Sequence, residues 1–188
     1  MFKQIFEIFK TNSLYDQALK ECHEMLDIDL TMFKASIQSL RKSDTAELDI
    51  DIYAMDKKIN EFERDVRRKI ITHLAVGGKA DIGPGLVLVS VVIDIERIGD
   101  YTKNIYDLAV NHPKMLDGNA LEDRLSQVET ASIDLFESSI DAFKNQDIDK
   151  ARGLMTLYKE TISAQCDRIT TDIISGKISD IDVGKGTA

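Results

Sequence analysis

Glu96 and Asp100 stand four residues apart, and Asn104 and Asp107 continue the same spacing. On a helix each residue advances about 100°, so these side chains form one row on a single side. A second group, Asp56, Asn60 and Glu63, has a comparable spacing and lies about a quarter to a third of a turn from an apolar stripe holding Phe62 and Val66. Like charges one turn apart repel unless something positive sits between them. If the two helices pack antiparallel, oxygen ligands from both could converge on one cation, and such a set favours iron, manganese, magnesium or zinc over copper. The competing reading is a solvated acidic face, because Arg67, Arg97 and Lys103 are near enough to form surface ion pairs with these acids.

Other chemistries find little support. His23, His73 and His112 match no ligand pattern with the acids, and the Glu-x-x-His pairs of a carboxylate di-metal enzyme are missing. No serine, cysteine or histidine has an evident base and orienter, so nucleophilic catalysis is not indicated. The glycine-rich GGKADIGPG, residues 77–85, lacks the lysine followed by serine or threonine of a phosphate-binding loop. Cys22 and Cys166 have no metal-ligand spacing and read as buried apolar fillers, kept reduced. A net charge of −9 argues against a nucleic-acid partner, since phosphate backbones need a basic face. No apolar run approaches the roughly 20 residues that cross a bilayer, and the start MFKQIFEIFK lacks a signal peptide's features. A cytoplasmic location is the expectation.

The elements that must position the acids are helices. Leu14, Ala18, Cys22, Met25, Met32, Ser36 or Ile37 and Leu40 step by threes and fours, broken only by the polar Asp29. Met55, Ile59, Phe62, Val66, Ile70 and Leu74 form a cleaner second stripe, with Ser43, Asp44 and Thr45 as N-cap candidates in a tight turn before it. The glycines and Pro84 of residues 75–85 end that helix, and Pro84 suits the first turn of the next. The run LVLVSVVI has strand propensity, yet Val91, Ile95, Ile98, Thr102, Ile105 and Leu108 or Ala109 carry one helical stripe unbroken to His112 and Pro113. In this phase the carboxylates project from the side opposite Val91, Ile98 and Ile105. A fourth helix follows on Leu121, Leu125, Val128, Leu135, Phe136 and Phe143. A fifth follows on Ile148, Ala151, Met155, Tyr158, Ile162, Ile169 and Ile173.

Helices four and five overlay helices one and two at an offset of 103 residues, placing Phe33 on Phe136, Ile37 on Ile140 and Asp44 on Asp147. The third helix has no counterpart. The expected architecture is all-α, an antiparallel helical bundle of about five long helices. It comprises a complete three-helix repeat over 12–112, an incomplete two-helix repeat over 117–176, and a disordered tail over 177–188.

IERIGDYTKNI, preceded by an apolar run and by a helix of the form AMDKKINEFERDV, resembles the PhoU family of phosphate-uptake regulators. The resemblance covers about Leu14 to Ala109 and continues more faintly to about Ser175. It implies a bundle of two three-helix repeats, whose acid-x-x-x-acid motifs can hold a multinuclear iron or zinc cluster. It also implies a non-enzymatic negative regulator that couples a phosphate transporter to a phosphate-sensing histidine kinase and meets the membrane only through those partners. Carried over, Glu96 and Asp100 match the third-helix motif, and Asp56 and Asn60 take the second-helix positions as metal ligands. Departures are visible. Asn60 stands where an acid is expected, GGKADIGPG lacks the arginine-glutamine-proline pattern, and Lys159 and Ser163 replace Asp56 and Asn60 in the second repeat. At most one cluster per chain follows. The missing sixth helix would expose apolar surface, for which a homodimer is the expected remedy. The alternative function is a structural scaffold whose acidic face is solvated and binds no metal.

Overall fold

A computed structural model describes residues 13–76, 82–112 and 114–178. The opening twelve residues, part of the glycine-rich connection, Pro113 and nearly all of the tail lie outside the described residues. Those described form helices and turns with no strand, as the periodicity predicts. In order they are α1, Leu14–Lys42; α2, Ile52–Val76; α3, Ile82–Asn111; and α4, Glu122–Lys144, entered through a 3-10 turn, Asn119–Leu121. The last rod is continuous over 148–174. It consists of α5, Ile148–Tyr158, a π-helical turn, Lys159–Ser163, and α6, Ala164–Ile174.

Local signals explain most boundaries. Ser13 and Asp16 cap α1 reciprocally, the Ser13 hydroxyl accepting from Asp16 N at 3.0 Å. The β-rich run after Pro84 is helical within α3. The turn before α2 differs from expectation. Asp51 is the N-cap, accepting from Ala54 N at 3.0 Å, so α2 starts later than Ser43, Asp44 or Thr45 would allow. Asp44 instead holds the Met115 amide at 3.0 Å. Asp147 does cap α5, through Lys150 N at 2.9 Å, so the two turns matched at the 103-residue offset are built differently.

Contacts divide the chain into two compact units, 1–32 with 50–103, and 33–49 with 104–188. Both α1 and α3 run through the two. In the first unit Ala18, Cys22, Met25, Leu26 and Met32 of α1 are buried with Ile52, Ile59, Val66 and Ile70 of α2 and Leu88, Val92 and Ile95 of α3. Each helix thus buries one stripe, at about 25 cal/mol per Å² of apolar surface removed from water. α2 and α3 are antiparallel: Gly85 abuts Leu74 and Ile70 near one end, and Gly99 abuts Ile59 toward the other. α1 is antiparallel to α2, with Tyr15 against His73 and Glu21 paired to Lys69.

The buried line of α3 is Leu88, Val92, Ile95, Gly99 and Thr102, whereas Val91 and Ile98 are only partly covered. Ile95, Thr102 and Ala109 of the predicted stripe are buried, so the stripe is offset by only part of a turn, roughly 60°. Hydrophobicity alone misplaces this face because its innermost members near the acids are a glycine and a threonine.

The second unit is organised around Arg41, whose side chain is 6% exposed. Its Nε donates to Glu129 and its Nη2 to Glu122, each at 2.6 Å, and its Nη1 donates to the Leu116 carbonyl. Leu116 N donates to Leu40 O at 2.8 Å, and Leu40, Ala109 and Leu116 form a small buried cluster beside this network. Phe33 and Phe136, matched by the 103-residue offset, meet edge to face at 5.9 Å, and their neighbours Lys34 and Glu137 pair. Two expectations are corrected here. Ile148, Ala151, Met155 and Tyr158 are exposed, not a core stripe, and Cys166 is exposed while Cys22 is buried.

A Cβ on Gly99 would lie 3.0 Å from both Asp29 Oδ1 and Ile59 Cδ1, whereas one on Gly153 would meet nothing within 4 Å. Gly99→Val should cost about 2 kcal/mol or more in urea unfolding by overpacking the helix contact. Gly153→Ala should stabilise by about 0.5–1 kcal/mol through helix propensity. Equal effects at the two positions would show that α3 does not need the close approach.

Candidate functional site

The acids singled out in the sequence lie in the first unit, where α1, α2 and α3 meet. Lys103 Nζ donates to Asp56 Oδ1 at 3.0 Å and to Asp100 Oδ1 at 2.8 Å, so one ammonium joins α2 to α3. The Asp56 and Lys103 side chains are 15% and 24% exposed, and that of Asp100 is 47% exposed. Hydrogen bonds donated to Asp100 and Asp56 hold the Lys103 pKa above its ordinary value, against the burial that would lower it. Glu63, one helical turn beyond Ile59, accepts from Arg67 Nη1 at 2.8 Å. Burial raises the Glu96 pKa, and the nearby charges of Asp100, Glu63 and Asp56 push it in the same direction. Glu96, Asp56, Glu63 and Asp100 therefore do gather, as the antiparallel pairing of α2 and α3 requires.

The carboxylates are at the border of the buried face of α3, not opposite it. Glu96 and Asp100 flank Gly99, and all three sit one to two turns from Thr102 or Val92, which are buried. Asp107 and Asn104, the rest of the sequence row, fall in the second unit. Asn60 donates its Nδ2 to the Asp56 carbonyl at 3.0 Å, a bond within its own helix.

The member that the sequence did not assign to the site is Asp29 of α1. It is fully buried, and among the described residues neither carboxylate oxygen has a hydrogen-bond partner. Burial, then the charges of Glu96 and Asp56, push its pKa up to about 8. Its Oδ1 rests against Gly99, in space that any larger residue would fill. The one available signal was its interruption of the α1 stripe, in phase with Cys22, Met25, Met32 and Ser36.

An orphaned buried carboxylate and an all-oxygen donor set have the chemistry of a hard-cation site. The arrangement does not complete one. Among the described residues no three His, Cys, Asp or Glu side chains are placed to hold an ion. The gap between Asp56 and Asp100 is spanned by Lys103, and Asn60 is engaged with its own backbone. In the second half, Lys159 and Ser163, which match Asp56 and Asn60 at the 103-residue offset, begin and end the π-helical turn. The residues as placed do not fit the multinuclear cluster that the resemblance implies.

Asp29 generates a pH prediction. Its folded-state pKa is raised from 3.8 to about 8, so the folded chain holds this proton more tightly than the unfolded one. The stabilising contribution is fully present below about pH 4 and is lost as pH rises toward 8. Asp29→Asn keeps a neutral side chain of the same shape. In chelator, the unfolding free energy of the wild type from urea titration should fall between pH 5 and 8, by on the order of a few kcal/mol, relative to the variant. Parallel curves would show that Asp29 is ionised in the fold across this range.

The PhoU domain model matches residues 22–109, from the middle of α1 to the last turn of α3. Comparison with curated proteins and with solved structures gives no match. No described helix is long and apolar enough to cross a membrane. The three-helix segment that carries the whole carboxylate cluster thus matches the PhoU domain, over residues 22–109.

Proposed function

We propose that this chain is a non-enzymatic, cytoplasmic regulator of phosphate uptake, an adaptor between a phosphate transporter and its sensor histidine kinase. The observation that carries this reading is the PhoU-domain match over α1, α2 and α3, the segment that also holds ERIGD. The net charge of −9 supports protein partners with basic surfaces. The scaffold alternative rests on a solvated acidic face, and the low exposure of Asp56 and Glu63, at 15% and 13%, weighs against it.

The reading includes self-association. Ile148, Met155 and Tyr158 are exposed by 65%, 65% and 48% at spacings of seven and three, an apolar stripe on one side of α5. A second copy of the chain is the proposed cover for this stripe.

Two measurements test the reading. Deleting the gene in its own cell should release phosphate uptake from repression in phosphate-rich medium, and the tagged chain should retain the transporter or kinase on a column. Unchanged uptake together with no retention would remove the regulatory assignment. For the self-association, light scattering should give a dimer and Met155→Lys a monomer; a monomeric wild type refutes the dimer.

A further inference from the structure

The inter-helix acid pair in the PhoU domain already has a cation. We propose that Lys103 is the resident counter-ion of the carboxylate cluster, its ammonium filling the place between Asp56 and Asp100 where a divalent metal would otherwise bind. The geometry is direct: one Nζ lies 3.0 Å from Asp56 Oδ1 and 2.8 Å from Asp100 Oδ1, bridging α2 to α3. Both bonds are charge-assisted, and the Lys103 and Asp56 side chains are more than three-quarters covered. A metal entering this gap has to break both bonds and expel the ammonium, or sit beside a like charge.

A tethered ammonium also has an entropic advantage over a free ion. It is present at high effective concentration and is released from its helix only by local rearrangement. Lys103 lies one turn beyond Asp100 and two beyond Glu96 on the same helix, so the sequence that supplies the acids supplies their cation. The same device recurs in this unit. Lys69 Nζ pairs with Glu21 of α1 and, at 2.7 Å, with Asp65 of α2, with all three side chains largely covered. The inference is independent of the regulatory reading, since an adaptor role is compatible with either state of the cluster.

The test measures metal content of the full chain purified without chelator, and melting temperature with chelator, Mn2+ or Zn2+. Wild type and Lys103→Arg should carry substoichiometric metal and melt alike in all three conditions. Lys103→Met should melt lower in chelator, recover with Mn2+ or Zn2+, and bind one of these roughly tenfold or more tightly than wild type. Adding Asp100→Asn to Lys103→Met should restore stability in chelator and abolish the metal response, because the repelling pair is gone. If Lys103→Met does not fold in chelator, its refolding yield with and without Mn2+ provides the same readout. Stoichiometric metal in the wild type that is lost in Glu96→Ala plus Asp100→Ala overturns the inference. So does a Lys103→Met variant whose melting and refolding ignore metal.

Discussion

The PhoU domain is constrained by the charge it places at a helix junction. Acids from α1, α2 and α3 approach one another there because α3 presents Gly99, against which Asp29 Oδ1 and Ile59 both pack. Two carboxylates about 4 Å apart repel by about 4 kcal/mol at an effective dielectric of about 20, against a total fold stability of about 5–15 kcal/mol. Close packing of these helices is therefore possible only if the acids are neutralised, paired or spread toward water. The first two are used. Asp29 is pushed toward its neutral form, Asp56 and Asp100 share Lys103, and Glu63 pairs with Arg67.

The second unit meets its own version of the problem with a guanidinium. Arg41 is buried, and its fork reaches two glutamates and the Leu116 carbonyl, satisfying several donors with one side chain. Arginine suits that position because its charge is spread over a planar set of donors, while lysine suits the point-like bridge between Asp56 and Asp100. Arg41 and Lys103 are thus covered in company with acceptors, the condition under which buried charge is tolerated, whereas Asp29 is covered without a partner.

The second half of the chain resembles the first in phase but not in chemistry. Phe33 meets Phe136 across the 103-residue offset, yet the positions matching Asp56 and Asn60 bound a π-helical turn. A π turn inserts backbone into the helix and changes which faces follow, so core residues after it need not repeat the burial of α2. Ile59, Val66 and Ile70 are all buried, whereas of Ile162, Ile169 and Ile173 only Ile169 is. The carboxylate cluster, among the described residues, occurs once.

The sequence by itself determined the helical class, the order of the long helices and the pairing of the Asp56 and Glu96 rows, because a period of 3.6 and the breakers at residues 75–85 leave little else. It also carried the family in ERIGD. What it could not determine was the rotation of α3. Gly99 in the middle of the buried face has no hydrophobic signature, and its depth comes from how closely a neighbour can approach. Nor could it place the N-cap at Asp51, since several capping residues precede α2 and only the path to Met115 diverts Asp44. The role of Asp29 and the choice between metal and Lys103 belong to the tertiary structure alone. Charge balance depends on distances between helices, and a sequence spaces residues only within one.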